Sequence, residues 1–344
     1  MKDLLDHLSD EECSRIRNAA LPDWVPPMLA TLTHEPFSDP GWIYERKLDG
    51  VRLLVFRKGG RARLVTRNQK DRTTTWPDVV EALESRDGAD LVADGEMVAF
   101  EGSVTSFARL QERMQIRDED EAREKAQAVR AYLYLFDLLH VGGHDVTALP
   151  VRARKGLLRR VLPWQDPVRY TPHRNEDGLG FLREACEKGW EGLIAKRADG
   201  AYVHGRSRGW RKFKCVNRQE FVIGGWTDPE GERVGLGALL VGYHEDEALR
   251  YAGKVGTGYD EATLKRLRSR LERLERATSP FAGGGGLAEA GVHWVTPELV
   301  CEVGFSEWTQ DAKLRHPRFL GLRDDKAPEE VVRERAAARP EAAR

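Results

Sequence analysis

The residues with the most chemical potential stand together at 44–52, in the string Tyr44-Glu45-Arg46-Lys47-Leu48-Asp49-Gly50-Val51-Arg52. Lys47 has a carboxylate two residues before it and another two residues after it. An amine so placed becomes a nucleophile or a base once it loses its proton, and carboxylates in pairs are ligands for a hard cation. Trp42, Ile43 and Tyr44 have the character of a strand, Val51 to Phe56 alternates as a second strand, and Asp49-Gly50 is the turn between them. On a strand Glu45, Lys47 and Asp49 would share a face. Read alone, the string is more often a solvated hairpin with an ordinary surface lysine.

Five further stretches follow it: Thr66-Arg67-Asn68, Asp94-Gly95-Glu96, Leu135-Phe136-Asp137, Glu191-Gly192-Leu193-Ile194-Ala195-Lys196 and Trp210-Arg211-Lys212-Phe213-Lys214. Lys212 and Lys214 are two apart on a strand and therefore share one side. Tyr132, Tyr134 and Phe136 alternate, a pattern that by itself reads as core packing. No GxxxxGK and no GxGxxG is present, so neither a P-loop nor a dinucleotide fingerprint is supported, and Gly253, Gly256 and Gly258 read as turns. His140, His144 and His204 share no metal spacing and read as loop histidines.

These residues need a scaffold, and the chain is long enough for two domains with real cores. Charged residues make up 32% of the 344, yet the formal net charge is −1, so any basic surface is local. Four cysteines (13, 186, 215 and 301) lie far apart with no CxxC, and read as reduced, mostly buried thiols of a cytoplasmic protein. There is no apolar run near 18 residues and no signal-peptide pattern, which excludes a helical membrane protein from the reading. The first 21 residues form a charged leader with a possible capping box, Ser9 with Glu12. Strands are expected at 42–47, 51–57, 62–66, 91–93, 96–100, 132–138, 192–196 and 210–215. Helices are expected over 77–85, 105–128, 151–161 and 177–188. Hairpins interleaved with helices suggest an α+β fold. Beyond about 217 come strands at 220–226, 236–243, 248–255 and 298–305, a helix over 260–275 with a leucine stripe, and a flexible turn at 283–286. That set fits a small barrel of the oligonucleotide-binding type. The final residues, rich in Arg, Glu and Ala, read as a terminal helix or frayed tail.

In order and spacing, Lys47-Leu48-Asp49-Gly50 and the five later stretches resemble the motif set of the covalent nucleotidyltransferases: ATP-dependent DNA ligases, RNA ligases and mRNA capping enzymes. Leu314-Arg315-His316-Pro317-Arg318-Phe319-Leu320-Gly321-Leu322-Arg323-Asp324-Asp325-Lys326 is similar to the last motif of the ligase domain of bacterial DNA ligase D, the end-joining ligase. Pro27-Met28-Leu29-Ala30, Gln219-Glu220-Phe221-Val222-Ile223-Gly224-Gly225 and Tyr251 to Gly258 are similar to that family as well. The resemblance covers about 25–326. It implies a leader (1–24), an ATP-grasp-like adenylation domain (25–217), an OB-fold domain (218–326) and a tail (327–344). No primase-polymerase or phosphoesterase domain accompanies it, so the reading is a stand-alone ligase or one cut from a longer protein.

The resemblance implies roles residue by residue. Lys47 is the nucleophile toward the α-phosphate of ATP, and Lys196, Lys212 and Lys214 are cations that surround the phosphates and help depress its pKa. Glu45, Arg52 and Arg67 lie at positions that contact the nucleotide or the nick phosphate. Phe136 stacks on adenine. Asp49, Glu96 and Glu191 are the carboxylates for Mg²⁺ or Mn²⁺, with Glu96 alternatively on a ribose hydroxyl. Arg315, Arg323 and Lys326 could cap the pyrophosphate. The substrate implied is nicked or broken double-stranded DNA, gripped by basic residues that include Arg206, Arg208, Arg211 and Arg218. A Ku-like partner follows by family analogy, for a monomeric, cytoplasmic, nucleoid-associated bacterial protein. An RNA ligase or capping-type transferase is the rival enzyme, and an inactive nick-binding module the rival of another class.

Overall fold

The computed structural model describes residues 2–33, 35–85, 88–114, 116, 118–215, 217–229, 235–283 and 291–334. The chain divides into two compact units, one within 1–215 and one within 216–334. No helix among the described residues is long and apolar enough to cross a membrane.

The first unit is α+β, as its interleaved periodicities require, and is built on two sheets. The larger runs in the order Arg17–Asn18, His144–Asp145, Ala131–Val141, Leu91–Glu101, Val51–Lys58 and Arg61–Thr66. The second runs His173–Glu176, Asp39–Arg46, Gly192–Arg197, Gly205–Lys214 and Met28–Leu32, antiparallel except for the last pair. The strand Val51–Lys58 is apolar on both sides. Leu53 and Val55 enter a core shared with helices Pro77–Glu84, Phe107–Met114 and Val151–Val161. Leu54 and Phe56 join Met28, Trp210 and Tyr202, so the two sheets pack on each other along that seam. Helix Gly178–Glu187 covers the second sheet through Phe181 and Ala185 against Tyr44, Leu193 and Phe213.

Several expectations are corrected here. Asp49-Gly50 does not close a hairpin, because the strands on either side of it belong to different sheets; residues 47–50 carry the chain from one sheet to the other. The expected strands 91–93 and 96–100 are one strand, Leu91–Glu101, which absorbs the Asp-Gly pair through irregularities in its pairing with Ala131–Val141. The expected helix 105–128 is two, Phe107–Met114 and Glu119–Ala128. The second starts afresh because the Asp118 carboxylate accepts the Glu121 N–H at 3.0 Å, which satisfies one of its open first-turn donors. His140 is no loop histidine: it is buried on a strand with Nε2 2.7 Å from the Ala19 carbonyl. Nor are all the cysteines thiols. Cys186 and Cys215 form a disulfide with Cα atoms 5.2 Å apart, because the helix ending at Glu187 returns beside the end of strand Gly205–Lys214. Cys301 is buried and Cys13 exposed. The Ser9–Glu12 capping box is present, and the leader packs Leu4, Leu5, Leu8 and Ile16 onto the main core.

The second unit has Ala248–Val255, Leu239–Glu245, Asn217–Thr227, Val292–Val295 and Glu275–Arg276 in sequence across one sheet. Helix Glu261–Glu272 buries Leu264, Leu267 and Leu271 into its core. The expected barrel is not closed among the described residues. Asn217–Thr227 is long enough to be shared: its first half pairs with Val300–Phe305 and its second half with Leu239–Glu245 and Val292–Val295. The sheet therefore branches, with Arg318–Leu322 on the outer side of Val300–Phe305, and its ends do not meet. Of the C-terminal segment, Pro328–Glu330 is a short 3-10 turn and Val331 packs on the core; residues 335–344 of the expected tail, and 284–286 of the expected turn, lie outside the described residues.

Candidate active site

Strand pairing places the candidate lysine. Arg46 lies opposite Leu193, so the next residue meets the start of the neighbouring strand, and the Lys47 N–H donates to the Gly192 carbonyl at 2.9 Å. Glu191 thereby comes beside Lys47 although 144 residues separate them, with Lys47 Nζ 2.5 Å from its carboxylate. Two glycines permit this arrangement. A Cβ on Gly192 would fall 1.9 Å from the Phe213 carbonyl oxygen, and one on Gly50 would fall 2.0 Å from that of Met97. The Gly of each motif thus lets a backbone pass where a side chain cannot.

The charge around Lys47 is the reverse of the expectation. Burial by itself would lower its pKa. Glu191 outweighs that, with Asp49 and Glu96 adding to it, and the ammonium is held above the ordinary lysine value. In this state Lys47 is a protonated, ion-paired lysine and not an activated amine. Lys196, one of the cations expected to depress the Lys47 pKa, is paired elsewhere. Its Nζ lies 2.8 Å from Glu45 and 4.5 and 4.2 Å from the ring centres of Phe136 and Trp210. Glu45 is buried, and its carboxylate also accepts from Lys155 at 2.5 Å. Glu45 therefore serves the cations beside the site through its side chain.

Arg52 continues the wall. Its guanidinium holds Asp94 through two hydrogen bonds, one of 2.9 Å, and lies 5.3 Å from the Phe136 ring centre. Tyr202, buried and outside every motif, closes the same carboxylate with an O–H donated at 2.6 Å. Burial, then Asp94, push that phenol well above its usual pKa, so it stays a donor. Phe136 is half-buried among Lys196, Arg52 and Trp210, while Asp137 turns to Arg154 in a two-bond pair, both side chains fully buried. Lys212 and Lys214 are half-buried on strand Gly205–Lys214, with Arg211 and Phe213 buried in alternation. Arg67 follows the strand Arg61–Thr66 in the turn to Lys70.

The remaining candidates belong to the second unit. Arg323 is half-buried there between Asp325 at 2.9 Å and Glu302 at 3.3 Å, Lys326 is 3.0 Å from Glu220, and Arg315 is 2.7 Å from Glu307. Sequence reading missed Lys155, Arg154 and Tyr202. The first two had a signal: they fall on the side of helix Val151–Val161 occupied by Val151, Leu157 and Leu158, where a cation must have a buried partner.

Comparison with known proteins gives the family. Residues 27–214 match the ATP dependent DNA ligase domain, and 232–326 match the ATP dependent DNA ligase C terminal region. The multifunctional non-homologous end joining protein LigD of Pseudomonas aeruginosa is 39% identical over 327 residues, covering 93% of this chain and 38% of that protein. The corresponding Mycobacterium tuberculosis protein is 38% identical, over 91% of this chain and 40% of that one. This chain thus spans about two fifths of the length of these relatives. Among solved structures, a mycobacterial DNA ligase D complexed with ATP and MES superposes with a TM-score of 0.63 at 35% identity, covering 90% of this chain and 98% of that one. With one family model running through most of the first unit and its companion through the second, the chain belongs to the ATP-dependent DNA ligases, close to the ligase domain of bacterial LigD.

Proposed function

We propose that this chain seals 5′-phosphate/3′-hydroxyl breaks in double-stranded DNA through a covalent lysyl-AMP intermediate. The observation that carries the reading is Lys47 paired to Glu191 where the chain leaves the second sheet, together with buried Lys196 and half-buried Arg52 against the Phe136 ring in the same unit. Once Lys47 gives up its proton, to Glu191 or to solvent, its Nζ forms a bond to the α-phosphorus of ATP. The bond to the bridging oxygen breaks, and its electron pair leaves on pyrophosphate. An oxygen of the DNA 5′-phosphate then displaces Lys47, which recovers a proton, and the 3′-hydroxyl finally displaces AMP. Throughout, the residues of this chain must hold charge on phosphate oxygens, and Lys196, Lys212, Lys214, Arg52 and Arg67 are assigned that work. Phe136 offers the face for adenine.

A divalent cation fits the donors in one way only. Asp49, Glu96 and Glu191 all act on the Lys47 ammonium, yet no group of three or more His, Cys, Asp or Glu among the described residues is gathered to hold an ion alone. Mg²⁺ needs no such cage, since it commonly takes one or two carboxylates and completes its shell with phosphate and water. Bound so, it would neutralise phosphate charge, and a carboxylate it shared with Lys47 would hold that proton less firmly.

The relatives named for non-homologous end joining support extending the reading to broken ends, and a Ku-like end-binding partner is proposed on the family resemblance alone. Parallel ligation of nicked DNA, nicked RNA–DNA and blunt ends, each with Mg²⁺ and Mn²⁺, tests it. Sealing of nicked DNA is expected; sealing only of RNA-containing strands would replace DNA ligation with RNA ligation.

A further inference from the structure

Helix Val151–Val161 carries two cations into the interior, Arg154 and Lys155, at 0% and 1% exposed. Arg154 is answered one for one by Asp137, at 2.7 and 2.9 Å. Lys155 is not. Its Nζ donates to Glu45 Oε1 at 2.5 Å and to the Thr171 carbonyl at 2.9 Å, and lies 4.7 Å from the centre of the Tyr170 ring. The other oxygen of the same carboxylate, Oε2, is 2.8 Å from Lys196 Nζ. Glu45 and Lys196 are themselves 3% and 1% exposed. Three cations therefore meet two carboxylates where water is largely excluded. An uncompensated buried charge is costly, so a cluster serving stability alone has no use for the surplus lysine. An anion arriving at Lys196 would balance it.

We propose that Lys155 is a positioning residue for nucleotidyl transfer: by occupying one oxygen of Glu45, it leaves Lys196 a half-satisfied cation available to a nucleotide phosphate. Lys155 itself has its donors taken by Glu45 and Thr171 and its charge against Tyr170. Lys196 has Glu45 and, at 3.4 Å, the Phe136 carbonyl, and its ammonium sits against the Phe136 and Trp210 rings. Without Lys155, both oxygens of Glu45 would turn to Lys196, and the cluster would become neutral before any nucleotide arrived. Burial lowers the Lys196 pKa, Glu45 opposes this and Lys155 reinforces it, leaving the group below its ordinary value. The proposal rests on the reading of Lys196 as a phosphate ligand.

A double-mutant cycle in the full chain tests it, with Lys155→Met, Lys196→Met and the pair, each checked for its melting temperature. Two quantities are measured: calorimetric affinity for α,β-methylene ATP, and the rate of Lys47-AMP formation from ATP. Lys155→Met should weaken affinity and slow adduct formation by about tenfold, but change either by less than about twofold once Lys196 is Met, because its effect passes through Lys196. Lys155→Arg, which keeps the charge beside Glu45, should restore much of the loss. A residue needed only for folding would instead cost the same factor in both backgrounds, and that result, or no loss in either, overturns the proposal. Lys155→Gln keeps a donor to Glu45 and replaces Met in the cycle if the Met protein melts below the assay temperature. Nucleotide binding without any adduct in the unaltered protein would count against the ligase reading, while the cycle on affinity would still decide the role of Lys155.

Discussion

On the proposed mechanism Lys47 is the nucleophile and Glu191, paired to it, is its restraint. With the carboxylate 2.5 Å away, the ammonium keeps its proton, and adduct formation should rise with pH as the amine is released. Glu191→Gln removes the strongest of the influences that hold the proton on, leaving burial, which favours the neutral amine. The rising limb of log rate against pH should therefore move to lower pH. Its position, not its plateau, is the readout, because the plateau also falls if Glu191 serves a metal. A limb that stays in place or moves up would remove Glu191 from this role. The choice of Lys47, Asp49, Glu96 and Glu191 was legible through the motif resemblance. The sign of the electrostatics was not. It depends on which cation each carboxylate chooses, and Glu45 chooses Lys155 and Lys196 across 110 and 151 positions of sequence, beyond the reach of any local pattern.

At the scale of elements, alternation and helical period located most strands and helices, because each pattern is local. Which strands pair is not local. The turn signal at Asp49-Gly50 is the same whether the chain folds back on its own sheet or crosses to another, and only the packing of Leu54 and Phe56 on Met28 and Trp210 selects the crossing. The thiol expectation failed for the same reason: Cys186 and Cys215 are 29 residues apart, and only the return of strand Gly205–Lys214 beside helix Gly178–Glu187 joins them. Closing that loop removes freedom from the unfolded chain. Cys186→Ser, or reduction, should therefore lower the unfolding free energy of the first unit by roughly 3.6 kcal/mol on the chain-entropy account. Urea unfolding with and without reductant measures it. An unchanged midpoint would show that the bond contributes nothing to stability.

For the molecule as a whole, a net charge of −1 supplies little long-range attraction to DNA. Grip must come from local cations such as Arg206, Arg208 and Arg218, and each neutralised phosphate adds a slope of about −0.9 in log affinity against log salt. Affinity for nicked duplex should then fall about tenfold or more between 50 and 200 mM salt if two or more phosphates are contacted, whereas self-adenylylation, which involves no DNA, should change much less. Equal salt dependence of the two would contradict an electrostatic mode of docking. All of this depends on one covalent event. The most direct test is the intact mass of the protein after incubation with ATP and Mg²⁺, followed by addition of nicked duplex. The unaltered chain should gain one AMP and lose it to the DNA, while Lys47→Ala and Lys47→Arg, lacking an amine that can shed its proton, should gain none. An AMP adduct on the Lys47→Ala protein, formed at the rate of the unaltered one, would contradict the account.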